Sequence, residues 1–209
     1  MAWRPRRWNV PGKDRLNVGC GRDVKTDPGW VNMDAFYDDP RVVKHDMVKT
    51  PWPFKANAFD VVYASHVLEH VPPVFREHKG TQRDALFDVV EEIHRVLRPD
   101  GILHAAIPLG GTHAGLMNPQ HYRQWRPDWF DYFDQRNGEA RGYHTANFQK
   151  AKFRFNRTGF RAKDFLRIGP NGHPLSVHLF ARLPFLRPFL RPKDEMEVQL
   201  RAVKDARGA

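Results

Sequence analysis

Residues 15–34 read RLNVGCGRDVKTDPGWVNMD, and this stretch decides the fold. It contains two short runs typical of β-strands, 15–18 and 30–33. The first run leads into Gly19-Cys20-Gly21, where missing side chains let the backbone approach a ligand closely. The second run leads into Asp34, whose carboxylate can accept hydrogen bonds from both hydroxyls of a ribose. The stretch therefore predicts a strand, a turn and a strand beside a site for a nucleoside-bearing cofactor.

Further along the chain, strand-like and helix-like patterns alternate. Apolar residues recur every three or four positions over 81–97, and Arg98-Pro99-Asp100-Gly101 stops that pattern, so we expect a helix there. Strands are expected at five further places: 41–45, 59–64, 101–108, 163–168 and 195–203. This alternation predicts an α/β fold built on a Rossmann-like, doubly wound parallel sheet with helices on both faces.

One domain is expected over 1–209, with two distinctive segments. Residues 1–13 form a basic arm, and residues 110–150 are rich in Gly, His, Trp and Tyr with weak periodicity. Irregular segments above a rigid sheet commonly carry recognition, so 110–150 is interpreted as an insertion that covers the substrate site. For Trp125, Trp129 and Phe130 taken singly, a plain packing role fits at least as well.

Composition excludes several classes of protein. The chain has 209 residues, of which 41% are hydrophobic, which is enough for one core. Its one cysteine cannot form an internal disulfide, and it has neither a signal-peptide pattern nor an apolar run of the ~18 residues that a membrane span needs. We therefore expect a cytoplasmic protein.

Positive charge is concentrated at the two ends of the chain. The formal net charge is +10. Residues 1–15 carry five Lys/Arg against one acid, and residues 151–209 carry thirteen against five, whereas residues 16–150 carry sixteen against eighteen. Basic ends can attract a phosphate-rich partner, although solvated basic tails are also common.

Other candidate ligand contacts follow the third and fourth expected strands. A parallel sheet binds its ligand outside the carboxyl ends of its strands, where the strand order reverses. Asp46 follows the third strand and suits an adenine amino group, and the neighbouring Met47 can lie along the ring. Ser65 and His66 follow the fourth strand. Each signal is weak singly, but their order and spacing point to one site.

Five stretches together resemble the class I S-adenosylmethionine-dependent methyltransferases, in particular their type 11 branch. They are LNVGCG (16–21), VNMD (31–34), HDM (45–47), FDVVYASHVLEHV (59–71) and EEIHRVLRPDGILHAAIP (91–108). The resemblance covers about residues 14–108. It implies a seven-stranded sheet whose last strand is antiparallel, with S-adenosyl-L-methionine as the cofactor.

The resemblance also implies roles for particular residues. The loop from Gly19 to Gly21 would hold the cofactor, Asp34 would bind its ribose, and Asp46 with Met47 would lie at its adenine. Their neighbours complete the cofactor-binding candidates, which are Asn17, Gly19, Cys20, Gly21, Asp34, Ala35, Asp46, Met47, Ser65 and His66.

Two features depart from a dinucleotide-binding pattern. The loop GCGRDV has no third glycine at position 24, and only fifteen residues separate Gly19 from Asp34, where such a fingerprint expects about 20. The first helix must therefore be short or missing. The lack of the third glycine also disfavours a nicotinamide enzyme, whose pyrophosphate meets a helix N-terminus, whereas a sulfonium donor has no phosphate to bind.

Histidines are the candidate catalytic residues. The methyl group of a sulfonium is already activated, so the enzyme must mainly align a nucleophile with it. A hydroxyl acceptor would benefit from a general base, and the candidates are His121, His70 and His66. We prefer His121 over His66. Asn118-Pro119-Gln120-His121 resembles an Asn/Asp-Pro-x-His stretch found in many type 11 relatives. Its alternative interpretation is a tight turn in which His121 bonds nearby backbone.

A metal site is an open alternative. The i, i+3, i+4 spacing of His66, Glu69 and His70 would put them on one face of a helix. The spacing resembles the Glu-x-x-Glu-His of small-RNA and some quinone-biosynthesis methyltransferases, with His66 in place of the first Glu. A fourth ligand could come from His113 or His121. Equally, this segment could be a structural turn in which Glu69 or His70 caps the backbone.

The acceptor is constrained mainly by an absent motif. No Asn/Asp-Pro-Pro-Tyr/Phe follows the fourth strand, where amino-methylating DNA and RNA enzymes of this class carry it; residues 64–67 read ASHV. We therefore expect O-methylation of a small molecule or glycan-type acceptor. The alternatives are a nucleic-acid methyltransferase and a non-catalytic binding or assembly protein that retains the fold.

Overall fold

The computed structural model describes residues 14–78, 81–137, 144–156 and 194–204. The strands of these residues are β1 (Arg15–Val18), β2 (Trp30–Asp34), β3 (Val42–Lys44), β4 (Phe59–Ser65), β5 (Phe75–His78), β6 (Thr81–Asp84), β7 (Leu97–Pro108), β8 (Phe148–Asn156) and β9 (Glu195–Ala202). The α-helices are α1 (Ala85–Val96) and α2 (His113–Leu116), and two 3₁₀ segments cover Leu68–His70 and Pro127–Phe133. Within these ranges, no helix has the length and apolar content needed to cross a membrane.

Seven strands form one sheet in the order β3-β2-β1-β4-β7-β9-β8. The first five strands of this order pair in parallel, and β9 runs antiparallel between β7 and β8. Strands β5 and β6 form a separate antiparallel pair. The predicted seven-stranded, doubly wound sheet with an antiparallel last strand is confirmed.

The sheet differs from expectation in its sixth strand. The outer strand beside β9 is β8, which takes up the last three residues of the segment 110–150. The other expected strand, 163–168, lies outside the described residues. Strand β8 was hard to predict because its pairing with β9 shifts register between Lys150 and Lys152, which breaks the period-two alternation of its side chains.

Helix α1 begins four residues later than the sequence pattern predicts. Residues 81–84 pair with β5, and the Asp84 side chain then accepts a hydrogen bond from the Leu86 amide at 2.8 Å, which caps the helix. The helix buries the apolar stripe expected of it, whose members include Leu86, Val89, Val90, Ile93 and Val96.

The two faces of the sheet differ in chemistry. One face packs with α1 and both 3₁₀ segments into a single apolar cluster that includes Leu16, Met33, Val62, Leu103 and Val198. The opposite face carries buried polar side chains in neighbouring strands, among them Asn32, Asn17, Tyr63, His104 and Glu197. Helix α1 thus covers one of the two faces expected to carry helices.

Glu197 is the centre of the polar cluster on that second face. Its carboxylate accepts hydrogen bonds from His104 Nε2 at 2.7 Å, Arg154 Nε at 2.7 Å and Asn156 Nδ2 at 2.6 Å. Burial alone would raise the pKa of the Glu197 carboxyl, but these donors outweigh it and lower the pKa to about 2. The charged form is therefore the one that the fold stabilises.

This cluster predicts an acid-dependent stability. The pKa of Glu197 is about 2 in the folded state, against the ordinary value of 4.5. Its contribution to the free energy of unfolding is therefore complete above about pH 4.5 and is lost as the pH falls towards 2. In urea unfolding, Glu197→Gln should lower the free energy of unfolding by about 3 kcal/mol at pH 7, and by much less at pH 3. Asp128→Asn, which removes a solvent-exposed partner of Arg126, should behave like wild type. A deficit for Glu197→Gln that is the same at both pH values would contradict this assignment.

Candidate functional site

The glycine loop lies over the carboxyl end of β1. Gly19 and Gly21 adopt φ values of 62° and 47°, a conformation that favours glycine. The amides of Gly19 and Cys20 donate to the Met33 carbonyl at 2.8 and 3.2 Å, which ties the loop to the end of β2. Parallel pairing and these bonds place the loop and Asp34 side by side.

Asp34 organises the backbone around it. Its Oδ2 accepts a hydrogen bond from the Gly21 amide, and its Oδ1 accepts from the Phe36 and Tyr37 amides, each at 2.8 Å. Burial works to raise the pKa of Asp34, but these amide donors prevail and lower it. The carboxylate is therefore ionised, and its Oδ2, which accepts one amide, keeps acceptor capacity for a ribose hydroxyl. Ala35 follows directly.

Cys20 is buried between these groups. Burial raises the pKa of its thiol to about 11, and the charge of Asp34 adds to this effect. The side chain is thus a neutral thiol at physiological pH, and it is 5% exposed. Because its thiol is buried, Cys20 presents its backbone rather than its side chain at the surface of the loop.

Two asparagine side chains hold the loop after β1 in place, where no helix forms. Residues 19–29 contain turns and no helix, as the spacing predicted. Asn17 Nδ2 donates to the Asp23 carbonyl at 2.8 Å and to Asn32 Oδ1 at 3.1 Å, while Asn32 bonds both backbone groups of Lys25. Asn17, a predicted cofactor contact, therefore braces the loop. Asn32 was missed, although its place opposite Asn17 on the next strand was a signal for it.

Asp46 and Met47 lie just beyond β3. Asp46 Oδ1 accepts from the Val48 amide at 3.0 Å, which leaves the other carboxylate oxygen for a ligand. The Met47 carbonyl accepts from Trp52 Nε1 at 2.8 Å, and the Met47 side chain packs partly buried against the core. Both residues thus occupy the edge of the sheet that also carries Asp34.

Beyond β4, the chain turns sharply at His66, which has a φ of 52°. Its Nε2 lies 2.8 Å from Glu195 Oε2, and its Nδ1 lies 3.6 Å from Glu69 Oε1. Burial alone would lower the pKa of His66, but Glu195 and Glu69 raise it to about 9. The imidazole is therefore a cation at neutral pH. Ser65, the last residue of β4, is partly buried beside it.

Val67 joins this segment to the glycine loop. A Cβ added to Gly19 would lie 2.2 Å from Val67 Cγ2 and 2.8 Å from Val67 Cβ. Only glycine at position 19 leaves room for this contact. The loop at the end of β1 and the loop at the end of β4 therefore pack directly against each other.

A compact group of donor atoms follows, formed by Glu69, His70 and His121. One ligand-type atom of each residue lies within 4.8 Å of the other two. The rings of His70 and His121 meet edge to face at 4.9 Å. Burial lowers the pKa of His70, and the nearby His121 lowers it further against the opposing effect of Glu69.

The expected helical face of His66, Glu69 and His70 does not form. Residues 68–70 make a single 3₁₀ turn, and His66 precedes it with a left-handed backbone, so i+3 and i+4 no longer align. His66 Nε2 bonds Glu195 while its Nδ1 stays 3.6 Å from Glu69, and His121 Nε2 lies 3.9 Å from the same carboxylate. His113, the other suggested ligand, is not part of the group that the described residues form.

His121 lies in a tight turn and bonds nearby backbone, and it also faces a carboxylate of the candidate site. Asn118 makes a tight turn, with its carbonyl accepting from the His121 amide at 3.0 Å and its Oδ1 from the Gln120 amide at 2.9 Å. His121 Nδ1 lies 3.1 Å from the Gly115 carbonyl. The turn and this bond leave Nε2 facing Glu69 at 3.9 Å.

Arg123 fixes this segment in place, and sequence reasoning missed it. Its guanidinium donates to the carbonyls of Val71 and Pro72 at 3.0 and 3.2 Å and pairs in bidentate fashion with Asp84. Val71 follows His70 directly, so Arg123 clamps the segment that carries His121 onto the loop that carries His70.

Several large aromatic side chains in the described part of 110–150 pack inward. Trp125 and Phe130 are buried in the core cluster and stack with ring centroids 5.4 Å apart, and Trp129 packs partly buried beside them. The packing role considered for these residues thus accounts for their contacts. Tyr122, next to His121, is 51% exposed and remains available to a ligand.

Comparisons with known proteins agree with this architecture. Residues 24–105 match the family model described as "Methyltransferase domain". No curated protein matches the sequence. The chain is similar in structure to a SAM dependent methyltransferase from Archaeoglobus fulgidus, with 15% identity, a TM-score of 0.55, and coverage of 91% of this chain and 86% of that chain.

Two further solved structures show the same fold. One is the complex of the Trm112 methyltransferase activator of Haloferax volcanii with a proposed methyltransferase, at 14% identity and a TM-score of 0.59, covering 95% of this chain and 86% of that one. The other is the YcgJ protein of Bacillus subtilis, at 14% identity and a TM-score of 0.52, covering 93% of each chain.

The two glycines of the loop should tolerate alanine differently. Both need φ > 0, which costs alanine about 1 kcal/mol. At Gly19 the new Cβ would also collide with Val67, whereas nothing lies within 4 Å of a Cβ at Gly21. In urea unfolding we expect Gly19→Ala to lose about 2–4 kcal/mol and Gly21→Ala about 1 kcal/mol. Equal losses would show that Val67 does not pack against Gly19 as described.

Proposed function

Because the chain is a class I S-adenosylmethionine-dependent methyltransferase, we propose that it methylates a hydroxyl oxygen of a small molecule or glycan-type acceptor. One observation carries this proposal. The contact of Val67 with Gly19 brings the histidine-bearing loop after β4 against the loop that is expected to hold the methyl donor. A donor and a group of potential bases thereby share one edge of the sheet.

In the proposed donor complex, the backbone of Gly19–Gly21 lies along S-adenosylmethionine and Asp34 binds its ribose. Asp46 and Met47 contact the adenine. Asn17 acts through the loop that it braces, and the remaining candidates line the site at their strand ends: Cys20, Ala35, Ser65 and His66. The free acceptor capacity of Asp34 and Asp46 supports these roles.

The reaction needs a short list of events. The acceptor oxygen attacks the methyl carbon, a C–O bond forms as the C–S⁺ bond breaks, and S-adenosylhomocysteine leaves as a neutral thioether. The hydroxyl proton passes to a base. We assign that role first to His121 and second to His70. His66 ranks last because Glu195 already engages its Nε2.

Two finer expectations stay predictions. The first is that the basic ends of the chain bind an anionic partner. Most of these basic residues, including all of those in 1–13 and 157–193, lie outside the described ranges. An acceptor that carries phosphate would use the same charge. A cytoplasmic location likewise rests on the sequence alone.

The donor site can be tested by calorimetric titration with S-adenosylhomocysteine. Asp34→Asn removes the charge that would accept the ribose hydroxyls, so we expect at least about tenfold weaker binding, or about 1.4 kcal/mol. Asp38→Asn is the matched control, because the Asp38 side chain is fully exposed four residues away and should leave binding unchanged. Equal affinity in wild type and Asp34→Asn would reject the assigned ribose site.

The acceptor class is tested separately with a labelled methyl donor. Purified protein is incubated with panels of hydroxyl-bearing small molecules and glycans, of amines, and of RNA and DNA. Incorporation into a hydroxyl acceptor, reduced at least tenfold in His121→Ala, supports the proposal. Incorporation into amines or nucleic acid alone would overturn it.

A further inference from the structure

We propose that Glu69, His70 and His121 form a binding site for a divalent transition-metal ion at the mouth of the acceptor site. Its existence as a metal site rests on the geometry of these three side chains. Its role in catalysis rests on the proposed function above.

Glu69 supplies the first observation. The residue is 1% exposed, and neither of its carboxylate oxygens has a hydrogen-bond partner. Its neighbours His66 Nδ1 and His121 Nε2 lie 3.6 and 3.9 Å from Oε1, both beyond hydrogen-bond distance. A buried carboxylate without such partners is strongly destabilising. The nearest cationic side chain, His66, is hydrogen-bonded to Glu195 through Nε2 and makes no hydrogen bond to Glu69. The Glu69 carboxylate therefore keeps both oxygens open to a metal ion.

The tautomer of His121 supplies the second observation. A carbonyl oxygen can only accept, so the bond to Gly115 requires that His121 Nδ1 carry a proton. In the neutral imidazole, Nε2 then directs a lone pair towards Glu69. Two acceptors that face each other need a cation between them. The distance of 3.9 Å is too long for a hydrogen bond between them.

His70 is the third residue of the site. One ring nitrogen of His70 lies within 4.8 Å of ligand atoms of Glu69 and His121, and its ring meets that of His121 edge to face at 4.9 Å. Metal-ligating histidines characteristically donate one ring N–H to a carbonyl or carboxylate, which fixes ring orientation and tautomer. His121 meets that requirement through the Gly115 carbonyl.

The three ligand atoms must move slightly closer together to bind one ion. They lie within 4.8 Å of one another, whereas ligands at about 2.1 Å from a tetrahedral ion stand about 3.4 Å apart. Side-chain rotations can close this difference. Glu69 and His70 are adjacent on a 3₁₀ turn, and the Arg123 clamp holds the segment of His121 against that turn.

The donor set selects the class of ion. Two imidazoles and one carboxylate suit Zn²⁺, Co²⁺, Mn²⁺ or Fe²⁺, and Mg²⁺ prefers an all-oxygen shell. Three protein ligands leave at least one coordination position open. A cation in this place would lower the pKa of an acceptor hydroxyl, whose proton would then pass to solvent water during methyl transfer. In the metal-bound site His121 and His70 would act as ligands and would give up the role of base assigned above.

Zinc titration of the chelator-treated full chain tests the site without any acceptor. Wild type should bind one Zn²⁺ per chain, and Glu69→Gln and His121→Ala should each weaken binding at least about 100-fold. His113→Ala is the matched control, because His113 lies in the same segment outside the group and should leave binding unchanged. Retained S-adenosylhomocysteine binding shows that the variants are folded. Wild type that binds no stoichiometric Zn²⁺, or binding that survives Glu69→Gln, would overturn the proposal.

Thermal unfolding adds a readout that a purely structural Glu69 would not produce. Without metal, Glu69→Gln should be as stable as wild type or more stable, because it replaces a buried carboxyl group that makes no hydrogen bond. With excess Zn²⁺, wild type alone should gain in Tm. A variant that is less stable than wild type in chelator would assign Glu69 a structural partner instead.

The outcomes also separate this inference from the proposed function. Stoichiometric Zn²⁺ binding with no hydroxyl methylation would uphold the metal site and reject the acceptor class. Hydroxyl methylation that is unchanged in chelator, with no Zn²⁺ binding, would reject the metal site and leave the acceptor class standing.

Discussion

The parallel pairing of β1 with both β2 and β4 is the constraint on which the candidate site depends. It aligns the carboxyl ends of three adjacent strands, so the loops that follow them must meet. Gly19 makes that meeting close, because the absence of a side chain admits Val67 from the loop after β4. Each further element of the site, from Asp34 to His70, takes its position from these contacts.

What the sequence predicted well were the features that depend on local pattern. The strand ends at Gly19, Asp34 and Asp46 followed from short apolar runs, and the missing first helix followed from the fifteen-residue spacing. These features need no knowledge of distant contacts. Period and turn chemistry were sufficient because the buried strands of a parallel sheet impose a simple pattern on the chain.

What the sequence could not supply were features decided by distant partners. Strand β8 carries a register shift that hides its alternation, and only its pairing with β9 defines it. The i, i+3, i+4 spacing at 66–70 favoured a helical face, but a left-handed His66 beside Glu195, 129 residues away, overrides it. Arg123 had no local signal either, because its partners lie 39 to 52 residues before it.

The two histidine–carboxylate groups of this edge differ in a way that bears on their use. His66 Nε2 and Glu195 Oε2 lie 2.8 Å apart and form a direct hydrogen bond, so this pair needs no further ligand. Glu69 Oε1 and His121 Nε2 lie 3.9 Å apart and form no hydrogen bond with each other. Arg123 and the Gly115 carbonyl nevertheless hold the surrounding segment in place. This difference is the reason for assigning the second group, and not the first, to the proposed ion.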